Sequence, residues 1–190
     1  MELTVEQALQ QAVEAHKVGS LQNAEALYRA ILQAQPKHPD ANHNLGVLAV
    51  SVNKPEAALQ LFKTALEVNP NQGQFWISYI DALIKAKQFE TAKNVLDQGK
   101  KLGLAGEKID TFEAQLTKPL QATNLLQTQV DLLLDHYQKG RYDQAENVAK
   151  KLTQRYPNHQ FSWKALGAIF KQTGRLQESL IATQKAVVTS

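Results

Sequence analysis

A recurring interval of 34 residues constrains this chain more than any single motif does. Displaced by that interval, Pro36 falls on Pro70, Ala24 on Ala58, Leu27 on Leu61 and Tyr28 on Phe62. Ala58 falls in turn on Ala92, Leu45 on Tyr79 and Lys54 on Gln88. Each interval holds two amphipathic runs of helical length, separated by a short turn and closed by a proline. The best formed is Asn42 to Pro70, NHNLGVLAVSVNKPEAALQLFKTALEVNP. A two-helix unit of this size cannot bury its apolar face alone, so successive units must stack on one another.

Local chemistry sets the boundaries. Thr4 with Gln7 forms a capping box, and the first helix runs to about Lys17 before Gly19 breaks it. The second, Leu21 to Gln35, turns Ala24, Leu27, Tyr28, Ile31 and Leu32 inward and stops at Pro36. Pro39 sits in the first turn of the third, which reaches Ser51, because a missing N–H is tolerated there. Gly46 offers a bare backbone where the paired helix crosses closely. Asn53 with Glu56 reads as the cap of the fourth helix, which buries Ala58, Leu61, Phe62, Ala65 and Leu66 up to Pro70. Asn71 with Gln74 repeats that cap. The fifth helix then carries Trp76, Tyr79, Ile80 and Leu83. The sixth, Phe89 to about Leu102, buries Ala92, Val95 and Leu96 and ends at Gly103 in a left-handed cap.

The interval then slips. Leu104 holds the place of a closing proline, and the next one, Pro157, lies 53 residues further on. Ile109, Phe112 and Leu116 predict one short inserted helix over 107–116, ended by Pro119. Val130 to Gln138 reads as the first helix of a new pair, followed by the turn Lys139-Gly140-Arg141. Tyr142 to Arg155 follows, with Ala145, Val148, Ala149 and Leu152 inward. A last pair buries Trp163, Leu166, Gly167 and Phe170, turns at Thr173-Gly174-Arg175 and continues through Leu176, Leu180 and Ala186. The expected organisation is three repeats over 1–104, an inserted helix and linker over 105–125, and two repeats over 126–190. The last repeat lacks its closing proline and nothing polar caps the stack, so the expectation is a fragment of a longer protein.

Composition removes several classes of function. With no cysteine there is no disulfide framework, thiolate nucleophile or cysteine metal site, which fits a reducing, cytoplasmic setting. The five histidines lack metal spacing: His38 and His43 flank a helix start without a third ligand. His136 beside Asp131 and Asp135 imitates an acid–base pair, but it has neither a nucleophile nor a closed pocket. No phosphate loop or dinucleotide fingerprint occurs. Glu2 and Glu6 stand where a secretory leader carries positive charge, and no window approaches the length of an apolar span. The net charge of +3 is dispersed rather than drawn into a stripe, which argues against nucleic acid. We therefore expect no catalysis in this segment, no cofactor, no metal, no nucleic acid and no membrane.

Residues 5–104 and 126–190 resemble tetratricopeptide repeats. The resemblance rests on Asn44-Leu45-Gly46 through Ala58, Phe62, Ala65 and Pro70, then on Trp163, Leu166-Gly167, Gly174 and Ala186, and on Gly140, Tyr142, Ala145 and Pro157. It implies an all-α, right-handed superhelical solenoid of antiparallel helix pairs, with about five repeats and one inserted short helix. Ile31, Gly99 and Leu152 depart from alanine, Ser179 replaces the alanine seen at Ala58, and Leu133 replaces a small residue. The stretch from Leu152 onward also resembles the arrays preceding catalytic domains in bacterial proteins similar to O-linked N-acetylglucosamine transferases and some sulfotransferases. There an asparagine ladder lines the inner surface. Asn44 matches it, while Gln10, Ser78, Asp131 and Ala165 occupy the equivalent places.

In such a solenoid the first helix of each pair lines a concave groove. The candidate partner-binding residues are Gln10 and Lys17; His43, Asn44 and Val47; Gln74, Ile77, Asp81 and Lys85; Asp131 and Tyr137; and Lys164 and Lys171. Glu6, Leu9, Val13, Asp40, Ser51, Ser78, Ile84, Gln127, Val130, Leu134, Phe161 and Ala168 share those faces. Aliphatic spots flanked by amides and charges suit an extended or helical peptide, so the reading is a protein- or peptide-binding module. The family's best known mode clamps a C-terminal carboxylate with lysine and asparagine. Leu9 and Val13 stand at the positions that open that clamp, so it is not expected here. Two further readings are a substrate-recruiting region of a glycosyltransferase or sulfotransferase, and a scaffold that self-associates as a homo-oligomer.

Overall fold

The computed structural model describes residues 3–189, and among these it contains ten α-helices and no strand. The fold is an all-α helical repeat of the solenoid type. It divides into two compact units, residues 1–120 and 121–190.

The first unit is built from α1 (Val5–Lys17), α2 (Leu21–Ala34), α3 (Pro39–Ser51), α4 (Pro55–Val68), α5 (Gly73–Lys85) and α6 (Phe89–Lys101), with the beginning of α7 (Glu107–Gln138). From α1 to α6 each helix packs on the next, and α3 also touches both α1 and α5, so the first helices form one row. Thr4 closes the expected capping box: its hydroxyl accepts from the Gln7 N–H, and the Gln7 side chain accepts from the Thr4 N–H. Gly19 and Gly103 take the left-handed backbone that ends their helices. One core joins Ala12, Ala24, Tyr28, Ile31, Leu45 and Leu48. A second joins Leu66, Phe75, Trp76, Ile80, Leu83, Leu96, Ile109, Phe112 and Leu116, while Phe62 packs with Ala58 and Ala82 between them. Each large aliphatic or aromatic side chain withdrawn in this way contributes roughly 1.5–3 kcal/mol.

The second unit comprises the remainder of α7, with α8 (Tyr142–Arg155), α9 (Gln160–Gln172) and α10 (Leu176–Val188). Its core joins Leu133, Ala145, Val148, Ala149, Leu152, Leu166, Ile169, Phe170 and Ala182. The Ser179 hydroxyl donates to the Gly167 carbonyl at 2.8 Å, so the departure from alanine at 179 adds a bond between the paired helices.

Several expectations need correction. The predicted short helix over 107–116 and the predicted start at Val130 belong to one continuous helix, α7, and Pro119 lies inside it. Leu116 and Leu120 pack into the first unit, and Leu126, Val130 and Leu133 into the second. Burial on both sides of the proline outweighs the roughly 3 kcal/mol a helix loses at such a residue. Asn53 does not cap α4. It adopts a left-handed backbone with φ 58°, and Lys54 occupies the N-cap position without a side-chain bond. Asn71 likewise leaves the N-cap of α5 to Gln72, which makes no side-chain bond. Both asparagines are turn residues, which the same amide chemistry also favours.

The closing prolines have a second role. The Asn42 side chain donates to the Pro36 carbonyl at 3.0 Å, Trp76 Nε1 to that of Pro70 at 2.8 Å, and Trp163 Nε1 to that of Pro157 at 2.7 Å. The carbonyl of each of these three closing prolines is thus taken up six residues later, by the helix that opens the next pair. Trp163, expected in the core, is only half-buried and is anchored by that bond.

Candidate functional site

The first helices present two hollows, one in each unit. In the first unit, Val47, Val50 and Ser51 of α3, Phe62 of α4, and Ser78, Asp81 and Lys85 of α5 surround about 480 Å³. Its charges are internally matched: Lys85 Nζ lies 2.6 Å from the Asp81 carboxylate. In the second unit, Leu133, Leu134 and Tyr137 of α7 face Phe161, Lys164, Ala165 and Ala168 of α9 around about 260 Å³. Its walls are almost entirely carbon, and Lys164 is the one charged residue among those that line it. Leu134 and Phe161 remain 38% and 37% exposed, so this hollow opens to solvent.

The candidate residues distribute unevenly over these surfaces. Val47, Asp81 and Lys85 meet in the first hollow, and Tyr137 and Lys164 in the second. Asn44 is half-buried, and Gln74, exposed, donates to the Ser78 hydroxyl at 3.3 Å. Ile77 leans into the core of its unit. Gln10 and Lys17 are exposed on α1, outside either hollow. Asp131 is exposed and held by the Gln127 amide at 2.8 Å, while Lys171 is exposed one turn beyond Ala168.

His43 behaves differently from a groove residue. It is 9% exposed, stacks on Phe75 at 4.6 Å and packs against Phe62 at 5.6 Å. One ring nitrogen lies 2.9 Å from the Ser78 hydroxyl and the other 3.3 Å from the Asn44 amide oxygen. Burial lowers its pKa from the usual histidine value, against the opposing pull of the Asn44 bond and the Asp40 charge. The ring is therefore a neutral tie between α3 and α5.

Leu134, Phe161, Ala165 and Ala168 carry most of the second hollow's wall, yet single-residue candidacy favoured the polar groups beside them. Their signal lies in side-chain size at the repeat interval, where small Ala168 is matched with Leu134. Among the described residues no group of three or more His, Asp or Glu is placed to hold a metal ion. No helix there is long and apolar enough to cross a membrane.

Family models of the tetratricopeptide repeat match residues 49–116 and 130–190. The chain belongs to the tetratricopeptide-repeat family. Several solved tetratricopeptide structures share its fold. A tetratricopeptide repeat protein from Parabacteroides merdae ATCC 43184 is 17% identical with a TM-score of 0.56, over 98% of this chain and 65% of that one. The P58(IPK) TPR domain is 16% identical with a TM-score of 0.55, over 98% of this chain and 51% of that one. The Sgt2 TPR domain from Aspergillus fumigatus is 16% identical with a TM-score of 0.55, over 63% of this chain and 81% of that one. No curated protein sequence matches the chain. At these identities the likeness is one of fold.

Proposed function

We propose that the chain is a protein-interaction module that binds a peptide segment of its partner along the exposed faces of its first helices. Membership of the repeat family supports an interaction role. The observation that carries the peptide reading is the apolar hollow between α7 and α9. Side chains as large as Leu134 and Phe161 stay partly exposed around it, although ordinary packing would close such a space. A peptide display selection on the wild-type chain tests this, with each selected peptide re-measured on Ala168→Trp. Ala168 is exposed, so the indole fills the hollow without disturbing the core. The expected result is loss of binding on Ala168→Trp with the thermal transition unchanged. Selected peptides that bind both proteins equally would refute the assignment.

Self-association is a second reading, favoured by α10. Leu180 and Ile181 are 59% and 54% exposed there, on the side away from buried Ala182 and Ala186. Sedimentation equilibrium at rising concentration should then show dimer for the wild type and monomer for Leu180→Glu. A monomer at every concentration would exclude it.

A further inference from the structure

We infer that the partner segment carries one bulky apolar side chain with carboxylates beside it, spaced to meet Lys164 and Lys171. This rests on the peptide-binding reading and specifies its chemistry. The two lysines lie seven residues apart on α9, so they share a face of that helix about 10 Å apart along its axis. Lys164 borders the apolar hollow and Lys171 lies one turn past Ala168, which lines it. Neither lysine has an ion-pair partner among the described residues, in contrast to Lys85, Lys139 and Lys150, which do.

Neither acid of the facing helix forms an ion pair with them among the described residues. Asp131 is bound by Gln127 one turn before Leu134, and Asp135 is taken up by Lys139 at 2.6 Å and Arg141 at 2.5 Å. The hollow is thus lined by carbon, with uncommitted positive charge along its α9 edge. The hollow accepts a leucine- or phenylalanine-sized group through burial. The lysines select for acid on the α9 side, and Asp131 disfavours it on the other.

The test uses the whole chain and short fluorescein-labelled glycine–serine peptides, read by anisotropy at low and raised salt. One peptide has a central leucine flanked by aspartates, the second the same leucine flanked by lysines, and the third the aspartates with serine at the centre. The first should bind, the second and third should not, and raised salt should weaken the first. Replacing both lysines, Lys164→Glu with Lys171→Glu, should weaken the first peptide by about tenfold and create binding of the second. Both lysines are exposed, so unchanged thermal melting is expected to accompany the reversal. Equal binding of the two leucine peptides to the wild type, lost on Ala168→Trp, would overturn the charge selection and leave the peptide-binding module intact. Failure of the aspartate–leucine peptide to bind overturns the inference outright, and the display selection then decides the module by itself.

Discussion

Gly46→Ala isolates the packing that sets the distance between α3 and α4. A Cβ built there would lie 2.7, 2.9 and 2.9 Å from three carbons of the Phe62 ring, against an ordinary carbon contact of roughly 3.5–4.0 Å. Phe62 is 1% exposed and leans on His43, which in turn stacks on Phe75, so the ring cannot yield without moving both. Overpacking of this kind costs about 1–3 kcal/mol, and alanine returns about 1 kcal/mol of helix propensity. With three contacts too short, the upper part of that range applies, and the net loss should be about 1–2 kcal/mol. Gly167→Ala is the internal control. Its Cβ would meet the Thr183 hydroxyl at 2.9 Å, on an exposed side chain that can turn away, with backbone no nearer than 3.4 Å. That substitution should be neutral or mildly stabilising. Urea unfolding followed by circular dichroism measures both, and Phe62→Leu added to Gly46→Ala should cost less than Phe62→Leu alone. A Gly46→Ala protein as stable as the wild type, or strictly additive costs, would refute the close-crossing argument.

Three further outcomes follow from polar groups in or beside the cores. The Tyr28 hydroxyl is buried without a hydrogen-bond partner among the described residues, so Tyr28→Phe should stabilise the protein by about 1 kcal/mol in urea unfolding. The repeat already carries phenylalanine at the equivalent Phe62. His43 has a folded-state pKa lowered by burial, so the unfolded chain binds its proton more readily. Stability is therefore full above the unfolded value near 6.5 and declines as pH falls from there to the depressed folded value; His43→Gln should flatten that part of the melting-temperature profile. Trp76→Phe removes the bond to the Pro70 carbonyl from a buried ring and should cost about 1–2 kcal/mol, whereas Trp163→Phe, half exposed, should cost less than about 1 kcal/mol because water replaces the lost donor.

The repeat itself was legible because its punctuation is steric. Pro39 and Pro55 favour first turns, Gly19 and Gly103 favour left-handed caps, and Ala24, Ala58 and Ala92 mark one crossing at one interval. What failed was every inference in which one residue type serves two geometries. Asn53 suits a cap and a left-handed turn equally, and only the path of the chain decides between them. Pro119 ends a helix unless both flanks are held, and here Leu116 and Leu133 are buried in different cores while 121–125 stay exposed. His43 read as a groove residue because Phe62 and Phe75, which enclose it, arrive from later helices.

The hollow between α7 and α9 shows how the interval can be read further than its landmarks. Positions one interval apart on successive first helices face the same side, so Leu134 is matched with Ala168 and Tyr137 with Lys171. The α7 members are bulky, while α9 supplies Ala165 and Ala168, which lack the volume to meet them. A lysine that reaches for solvent cannot fill that deficit with its charged end. An unfilled, carbon-lined space beside free cations is what results when large residues on one first helix oppose small ones on the next. Comparing side-chain volumes at matched positions, rather than seeking polar groups singly, is therefore the reading of such a sequence that locates this hollow.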